Sequence, residues 1–134
     1  MKPRITGPIS TKPLHRRIGA LIAAASLVGV LGASGTSQAA KVPGLIIAGP
    51  GAFVPFVNYL TPRVVMSKGA IATFRNFDAV QHDVVSDKGL FSSAKIGIGA
   101  SYAIASTHSL PPGTYKFHCS LHNWMKGQLI VRKT

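Results

Sequence analysis

The segment TYKFHCSLHNWMKGQLIVR, residues 114–132, contains two predicted β-strands and the short polar turn that joins them. The first strand ends at Cys119 and the second begins at Gly127. Because side chains alternate between the two faces of a strand, Phe117 and Cys119 share one face and His118 lies on the other. The apolar face that ends at Cys119 is therefore predicted to face a core.

The rest of the chain beyond residue 41 also reads as short strands separated by glycine and proline. No apolar pattern of helical period lasts ten residues, which argues against long helices. Turn signals lie at 67–69 (Ser-Lys-Gly) and 111–113 (Pro-Pro-Gly), and residues 86–100 form a predicted loop with at most one helical turn. Seven or eight strands at this spacing predict an all-β fold, a Greek-key β-sandwich or barrel. The six further predicted strands are 45–48, 53–60, 63–66, 70–77, 82–86 and 101–106.

The N-terminal segment has the three-part layout of a secretory signal. Five basic residues precede an uncharged apolar run at 18–31, and small and polar residues follow it to position 40. We expect cleavage after Ala39, which gives a signal at 1–39 and one domain at 40–134. The alternative is an uncleaved anchor, although 14 apolar residues are short of the roughly 20 that span a bilayer. The pair Arg16-Arg17 suggests twin-arginine export, but small residues follow it instead of bulky apolar ones. The general secretory route to a bacterial periplasm is therefore favoured.

The charge balance limits the kind of partner. The chain has 15 Lys and Arg and three acidic residues, a net charge of +12, and residues 41–134 keep ten of these cations and all three acids. The cations are scattered singly, unlike a nucleic-acid-binding tract. We expect an acidic protein partner or peripheral contact with an anionic membrane, and the alternative is a charged surface that serves solubility.

Cys119, His122 and Met125 form a Cys-x2-His-x2-Met cluster just past a strand end, and His82 lies beside another predicted strand. A short turn can direct the first three side chains at one point while a neighbouring strand supplies His82. One thiolate, two imidazoles and a weak axial thioether are the ligands that select copper. Zinc would accept cysteine and histidine but rarely takes a thioether.

Each ligand has an ordinary alternative as well. A lone cysteine is often a small buried hydrophobe, Met125 could fill core space, and His122 could be a surface histidine. An unpaired thiol in an exported protein is exposed to oxidation, however, and the conjunction of ligand types at turn spacing favours a metal site. His108, near the Pro-Pro-Gly turn, and His118, on the outer face, are predicted to be non-ligands, and Met66 is predicted to lie in the core.

The stretch from Phe117 to Gly127, with Gly69-Ala-Ile-Ala-Thr-Phe-Arg-Asn76 and Gln81-His-Asp-Val84 upstream, resembles the cupredoxins, the small blue copper proteins. The two residues between His122 and Met125 are similar to the short ligand loop of amicyanin rather than the longer loop of plastocyanin or pseudoazurin. The resemblance covers roughly residues 53–133. It implies a Greek-key β-sandwich that holds one Cu(I)/Cu(II) ion near one end of the barrel.

The resemblance also implies roles for the candidate residues. His82, Cys119 and His122 would be the strong ligands and Met125 the axial ligand, and His122 would reach the surface through an apolar patch where redox partners dock. The predicted function is therefore an exported, monomeric type 1 (blue) copper protein that carries single electrons between redox proteins. Four ligands leave no open coordination position, so an enzyme is not expected. The alternatives are a periplasmic copper carrier or scavenger, and a docking module of a larger oxidase assembly.

Two further features bear on this hypothesis. Position 83 is commonly Asn in the family, where its amide ties the two ligand loops together, and here it is Asp83. An ionised carboxylate cannot donate a hydrogen bond, which leaves half of that tether in question; the other reading is that Asp83 faces solvent. Trp124 could shield the metal, add apolar docking surface or plug the barrel end. The partner is expected to be steered electrostatically, by Lys88, Lys95, Lys116 and Lys126.

Overall fold

The computed structural model describes residues 39–134, which form seven β-strands and one short 3-10 helix. The signal segment predicted at 1–39 lies outside the described residues except for Ala39. Within 39–134 no helix has the length and hydropathy that a membrane span requires. The strands are β1 (Gly44–Ala48), β2 (Arg63–Ser67), β3 (Ala72–Asn76), β4 (Val85–Ser86), β5 (Ser101–Ile104), β6 (Gly113–His118) and β7 (Lys126–Arg132), and the 3-10 helix is Ala105–Ser109.

The strands form two sheets. One has the order β1-β3-β5 and the other has the order β2-β7-β6-β4. β1 runs parallel to β3 and β2 runs parallel to β7, while the remaining pairs are antiparallel. The predicted all-β, two-sheet architecture is confirmed, with seven strands in the described part of the chain.

Alternation along the strands explains why the two sheets pack face to face. In β7, Gly127, Leu129 and Val131 are buried while the residues between them are exposed or half-buried. Residues of one sheet thereby meet those of the other in a single apolar core, the usual construction of a β-sandwich. Tyr59 lies between the sheets, with its ring edge-on to Phe74 at 6.4 Å and to Phe117 at 5.3 Å.

The strand predicted at 53–60 is wrong. Residues 50–56 form successive turns, with hydrogen bonds from the N–H of Ala52 to the carbonyl of Gly49 and from the N–H of Val54 to that of Gly51. Pro55 has no N–H to donate to a neighbouring strand, and Phe56 has a φ of 74°, which no extended strand accommodates. The β-branched and aromatic side chains of this stretch lie mostly at the surface, and here they do not indicate a strand.

Other predicted strand boundaries also differ from the structure, and so does one predicted helical turn. The strand predicted at 82–86 is reduced to β4, and His82 forms only an isolated bridge with Ile96. The strand predicted at 101–106 ends at Ile104, where the 3-10 helix begins. The helical turn allowed for in the loop 86–100 is absent from that loop. The turn predicted at 67–69 is present, closed by a bond from the N–H of Ala70 to the carbonyl of Ser67.

Gly127 is the glycine whose replacement the packing forbids. It is the cross-strand partner of Phe117, and a Cβ at position 127 would overlap the Phe117 ring. We expect Gly127→Ala to lower the free energy of unfolding by about 2 kcal/mol or more, because a well-packed core does not accept an extra methyl group without strain. Urea denaturation monitored by circular dichroism measures this change.

Gly97→Ala is the matched control, since a Cβ there meets no atom within 4 Å and its φ is not in the left-handed region. Equal stability losses in the two variants would show that the Phe117 ring does not occupy the space that Gly127 leaves.

Candidate metal centre

The turn between β6 and β7 is closed by its own backbone. Cys119 follows the last residue of β6, and its N–H donates to the carbonyl of Met125 at 3.1 Å. The N–H of Met125 in turn donates to the carbonyl of His122 at 3.0 Å. These two bonds fold residues 119–125 back on themselves, so the predicted ligands of this turn lie at one end of the sandwich.

His82 approaches the same point from a different part of the chain. Its backbone pairs with that of Ile96 through two hydrogen bonds, of 3.2 and 2.9 Å, just before β4. β4 pairs with β6, and this pairing brings the segment that contains His82 next to Cys119. The side chain of His82 is fully buried.

Three predicted ligands converge. The Sγ of Cys119 lies 3.7 Å from Nδ1 of His82 and 3.6 Å from Nδ1 of His122. One donor atom from each residue lies within 4.8 Å of the other two, and the two imidazole centroids are 4.5 Å apart. Two nitrogens and one sulfur therefore surround a single point.

The donor set and its spacing fit a first-row transition metal ion. Ligand distances of about 2.0–2.1 Å to nitrogen and 2.3 Å to sulfur, with angles near the trigonal or tetrahedral value, separate such donors by roughly 3.6–3.8 Å. The observed sulfur-to-nitrogen distances, 3.6 and 3.7 Å, lie in this range. Two imidazoles and a thiolate in a trigonal arrangement are the donor set of type 1 copper.

Met125 is fully buried in the same core as Cys119, and its thioether would supply the fourth ligand of a copper ion. The two histidines predicted to be non-ligands lie elsewhere. His118 is half-buried on the outer face of its sheet and hydrogen-bonds Asp87 through Nδ1, at 2.6 Å, while His108 is exposed on the 3-10 helix. Met66 is buried in the core.

Asp78, which is not among the predicted site residues, organises His82. This buried carboxylate accepts a bond from Nε2 of His82 at 2.8 Å, and from the N–H groups of Gly51, Phe53 and Ala79 at 2.8–2.9 Å. With Nε2 of His82 occupied as a donor, its Nδ1 keeps the lone pair that faces Cys119. A carboxylate behind a histidine in this way fixes the tautomer and orientation that a metal needs.

The electrostatics of the cluster favour a bound cation. Burial raises the pKa of Asp78, but the bonds from His82 and three backbone N–H groups outweigh it and hold that pKa below its ordinary value. Burial, and then the neighbouring His82, lowers the pKa of His122, so that its imidazole stays neutral. Burial also raises the pKa of the Cys119 thiol, although the N–H groups of Asp83 and Leu121 donate to its sulfur. A metal cation would supply the positive charge that a buried thiolate needs beside it.

Asp83 joins the two ligand segments. It is buried rather than facing solvent, and its two carboxylate oxygens accept from the N–H of Ser120, at 2.7 Å, and from the Ser120 hydroxyl. Both contacts need only an acceptor. The tether between the two ligand segments therefore persists, although an ionised Asp83 cannot donate a hydrogen bond as Asn would. The backbone carbonyl of Asp83 also accepts from the Tyr59 hydroxyl at 2.6 Å.

Of the residues that support the site, Asp78 is the one that the sequence could have revealed. The chain has only three acidic residues, so each of them carries information, and Asp78 lies four positions before His82. Asn76 ends β3, and its amide donates to the carbonyls of Val80 and Ile96 at 2.8 Å, which fixes the loop that leads to His82. Nothing in the local pattern announces Tyr59, because its role depends on packing between the sheets.

We expect Asp78→Asn to lower the free energy of unfolding by about 1–3 kcal/mol and to weaken copper affinity about 10- to 100-fold. Each carboxylate oxygen accepts two of the four bonds, so an amide NH2 in place of one oxygen leaves two buried donors facing another donor. Urea denaturation and competition with a chelator of known affinity measure the two effects.

Asp87→Asn is the matched control, because Asp87 makes a similar bond to His118, a histidine outside the cluster, on a face open to solvent. If Asp78→Asn behaved no differently from Asp87→Asn, Asp78 would not be positioning His82.

Comparison with known proteins agrees with this geometry. No family model matches the chain. The chain is 29% identical over 80 residues to amicyanin from Paracoccus versutus and 30% identical over 77 residues to amicyanin-alpha from Methylorubrum extorquens. Each alignment covers 56% of this chain, and the aligned parts are 58% and 65% of the two amicyanins, less than two thirds of either.

Solved structures give the same result for the fold. A novel purple cupredoxin from Nitrosopumilus maritimus superposes with a TM-score of 0.56 at 27% identity, over 66% of this chain and 98% of that one. A reduced single-site mutant of amicyanin superposes with a TM-score of 0.55 at 21% identity, over 71% and 87% of the respective chains. The chain therefore has the cupredoxin fold, its ligand loop is similar to that of the amicyanins, and its His, Cys and Met donor set fits a type 1 copper site.

Proposed function

We propose that the protein is an exported one-electron carrier whose single copper ion is held by His82, Cys119, His122 and Met125. The observation that carries the proposal is the convergence of the Cys119 sulfur and two histidine nitrogens within 4.8 Å of one another, with Met125 buried in the same core as Cys119. Copper bound there would supply the Cu(I)/Cu(II) couple, which stores and releases one electron.

The surrounding residues hold the donors in place before any metal binds. Asp78 orients His82 from behind, and Asp83 ties the segment after His82 to Ser120 in the ligand loop. Every buried side-chain nitrogen or oxygen in the described residues has a hydrogen-bond partner, so none is left to drive a rearrangement. A rigid donor set suits electron transfer, because little has to move when the charge of the site changes.

Burial argues for electron transfer rather than for catalysis at the metal. His82 and Met125 are fully buried and Cys119 is 1% exposed, so only the half-buried His122 connects the site to solvent. If all four side chains bind copper, no position remains for a substrate. An electron can leave through His122 where a substrate could not enter.

The surface beside His122 is apolar. Leu121 precedes it and is 43% exposed, and Trp124 follows it and donates through Nε1 to the carbonyl of Ala52, in the turns at 50–56. In these turns Phe56 is 96% exposed. We assign this end of the sandwich as the place where a redox partner approaches His122, because aromatic and aliphatic side chains are enriched in the centres of protein interfaces.

Export to the periplasm is supported by the signal-like N-terminal segment and by the likeness to amicyanins. The single free cysteine is buried, which protects a thiol in an oxidising compartment.

We expect the purified protein to show an intense thiolate-to-copper absorption band and narrow copper hyperfine splitting when Cu(II) is added. Both features require the Cys119 sulfur as a ligand, so both are lost in Cys119→Ser. Visible absorption and electron paramagnetic resonance spectra measure them.

His118→Gln is the control for this experiment, since His118 is the sequence neighbour of Cys119 but points to the opposite face. Loss of the band in His118→Gln would contradict the ligand assignment. A colourless protein that binds only Cu(I) would instead indicate a copper carrier without an electron-transfer role.

We expect Asp83→Asn to raise the reduction potential, by about tens of millivolts, because a buried negative charge near the metal favours Cu(II). The Asn oxygen can still accept from the Ser120 N–H, and its amide can donate to the Ser120 hydroxyl, so the tether persists while the charge is removed. Cyclic voltammetry of the copper-loaded protein gives the potential.

Asp87→Asn removes the same charge from an exposed site and should change the potential much less. A potential that stays the same or falls in Asp83→Asn would mean that the Asp83 charge does not act on the metal.

A further inference from the structure

The acidic residues of this protein are all engaged with its own groups. Asp78 bonds His82, Asp83 bonds Ser120, and Asp87 bonds His118. Both ion pairs in residues 39–134 involve histidine, so no lysine or arginine of this part of the chain is paired with a carboxylate. The ten cations beyond residue 40 therefore present their charge to solvent.

Several of these cations share the outer face of the four-stranded sheet. Arg63 in β2 and Lys116 in β6 flank Gln128 of β7 in one cross-strand row, and Lys126 is paired with His118 in the adjacent row. All three side chains are exposed. Lys88 follows Asp87, whose N–H donates to the carbonyl of Lys116, at the β4 edge. We call Arg63, Lys88, Lys116 and Lys126 the cationic face.

The cationic face adjoins the metal centre. His118 immediately precedes Cys119 in the chain, and its imidazole lies on the outer face of the sheet. A surface cavity of about 590 Å³ lies on this face beside Cys119, and it is lined by Asp87, Lys116, His118, Cys119, Ser120, Asn123 and Lys126. The Cys119 backbone is thus one residue away from a cationic surface that is separate from the apolar end beside His122.

We propose that the cationic face is the docking surface for an acidic redox protein, and that the electron passes between the copper site and this partner through Cys119 and His118. The proposal rests on the proposed function and adds to it a second docking surface, separate from the apolar end beside His122, with its own partner charge and its own electron route. In the exchange, the partner's one-electron centre is reduced as the copper site is oxidised, or the reverse, and no bond or proton is transferred.

Charge complementarity selects a protein rather than a membrane as the occupant. Three cations at fixed positions on the sheet and Lys88 in the turn after β4, with one acid among them, match an ordered cluster of carboxylates. The exposed aromatic residues that anchor a peripheral protein in the lipid interface are absent from this face in the described structure: Phe53, Phe56, Phe77 and Tyr102 lie outside the four-stranded sheet.

The test compares two double charge reversals in the copper-loaded protein. Lys116→Glu with Lys126→Glu alters the cationic face, and Lys68→Glu with Lys133→Glu makes the same change in net charge at the opposite end of the sheet. Stopped-flow oxidation of the reduced protein by hexacyanoferrate(III), an anionic one-electron probe, is followed against ionic strength. We expect the first variant to react at least about tenfold more slowly at low ionic strength, the control less than about threefold, and the difference to vanish in high salt. Equal losses in both variants would overturn the proposal while leaving electron transfer intact.

Nuclear magnetic resonance of the metal-free, isotope-labelled protein tests the surface independently of copper. Poly-L-glutamate should shift the resonances of the cationic face, and vesicles of anionic phosphatidylglycerol should not. Shifts by the vesicles alone, or by poly-L-glutamate at other sites, would overturn the docking surface. A protein without the thiolate-to-copper band that still binds poly-L-glutamate at this face would refute the proposed function and keep the surface.

Discussion

The hydrogen bond between Nε2 of His82 and the buried carboxylate of Asp78 is the interaction on which the rest of the site depends. It determines which nitrogen of His82 faces Cys119, and it does so from a fully buried position. The same carboxylate accepts the N–H groups of Gly51 and Phe53, so the turns that precede β2 are fixed to the same point. One side chain therefore connects a proposed metal ligand with the apolar surface beside it.

Each of the three acidic residues has its own structural role. Asp78 and Asp83 are buried and serve the two sides of the ligand cluster, while Asp87 binds the one histidine that lies next to Cys119 without facing the metal. Because these carboxylates are engaged with histidine and serine, they do not neutralise the lysines and arginines. The internal order of the site and the positive surface of the protein are thus two consequences of the same arrangement.

The sequence predicted the parts of the molecule that depend on local pattern. The alternation in residues 114–119 correctly separated Phe117 and Cys119 from His118, and the spacing of Cys119, His122 and Met125 follows from one short turn. The strand predicted at 53–60 was wrong because apolar composition does not reveal whether a neighbouring strand is available to pair with. Asp78 and Tyr59 were missed because their contacts join distant segments that only the packed sheets bring together. Asp83 was recognised as unusual, but its two acceptor contacts with Ser120 could be seen only in the structure.

Trp124 is the only tryptophan of the chain, and its ring centroid lies 5.3 Å from that of His122. Its indole is half-buried and held by a hydrogen bond to Ala52, so its environment is well defined. All indole fluorescence of this protein therefore originates beside His122, a proposed ligand of the metal centre. Cu(II) at that distance quenches indole emission strongly, whereas a spectroscopically silent ion such as Zn(II) does not. The protein thus carries an intrinsic optical reporter that distinguishes copper-loaded from copper-free molecules without any label.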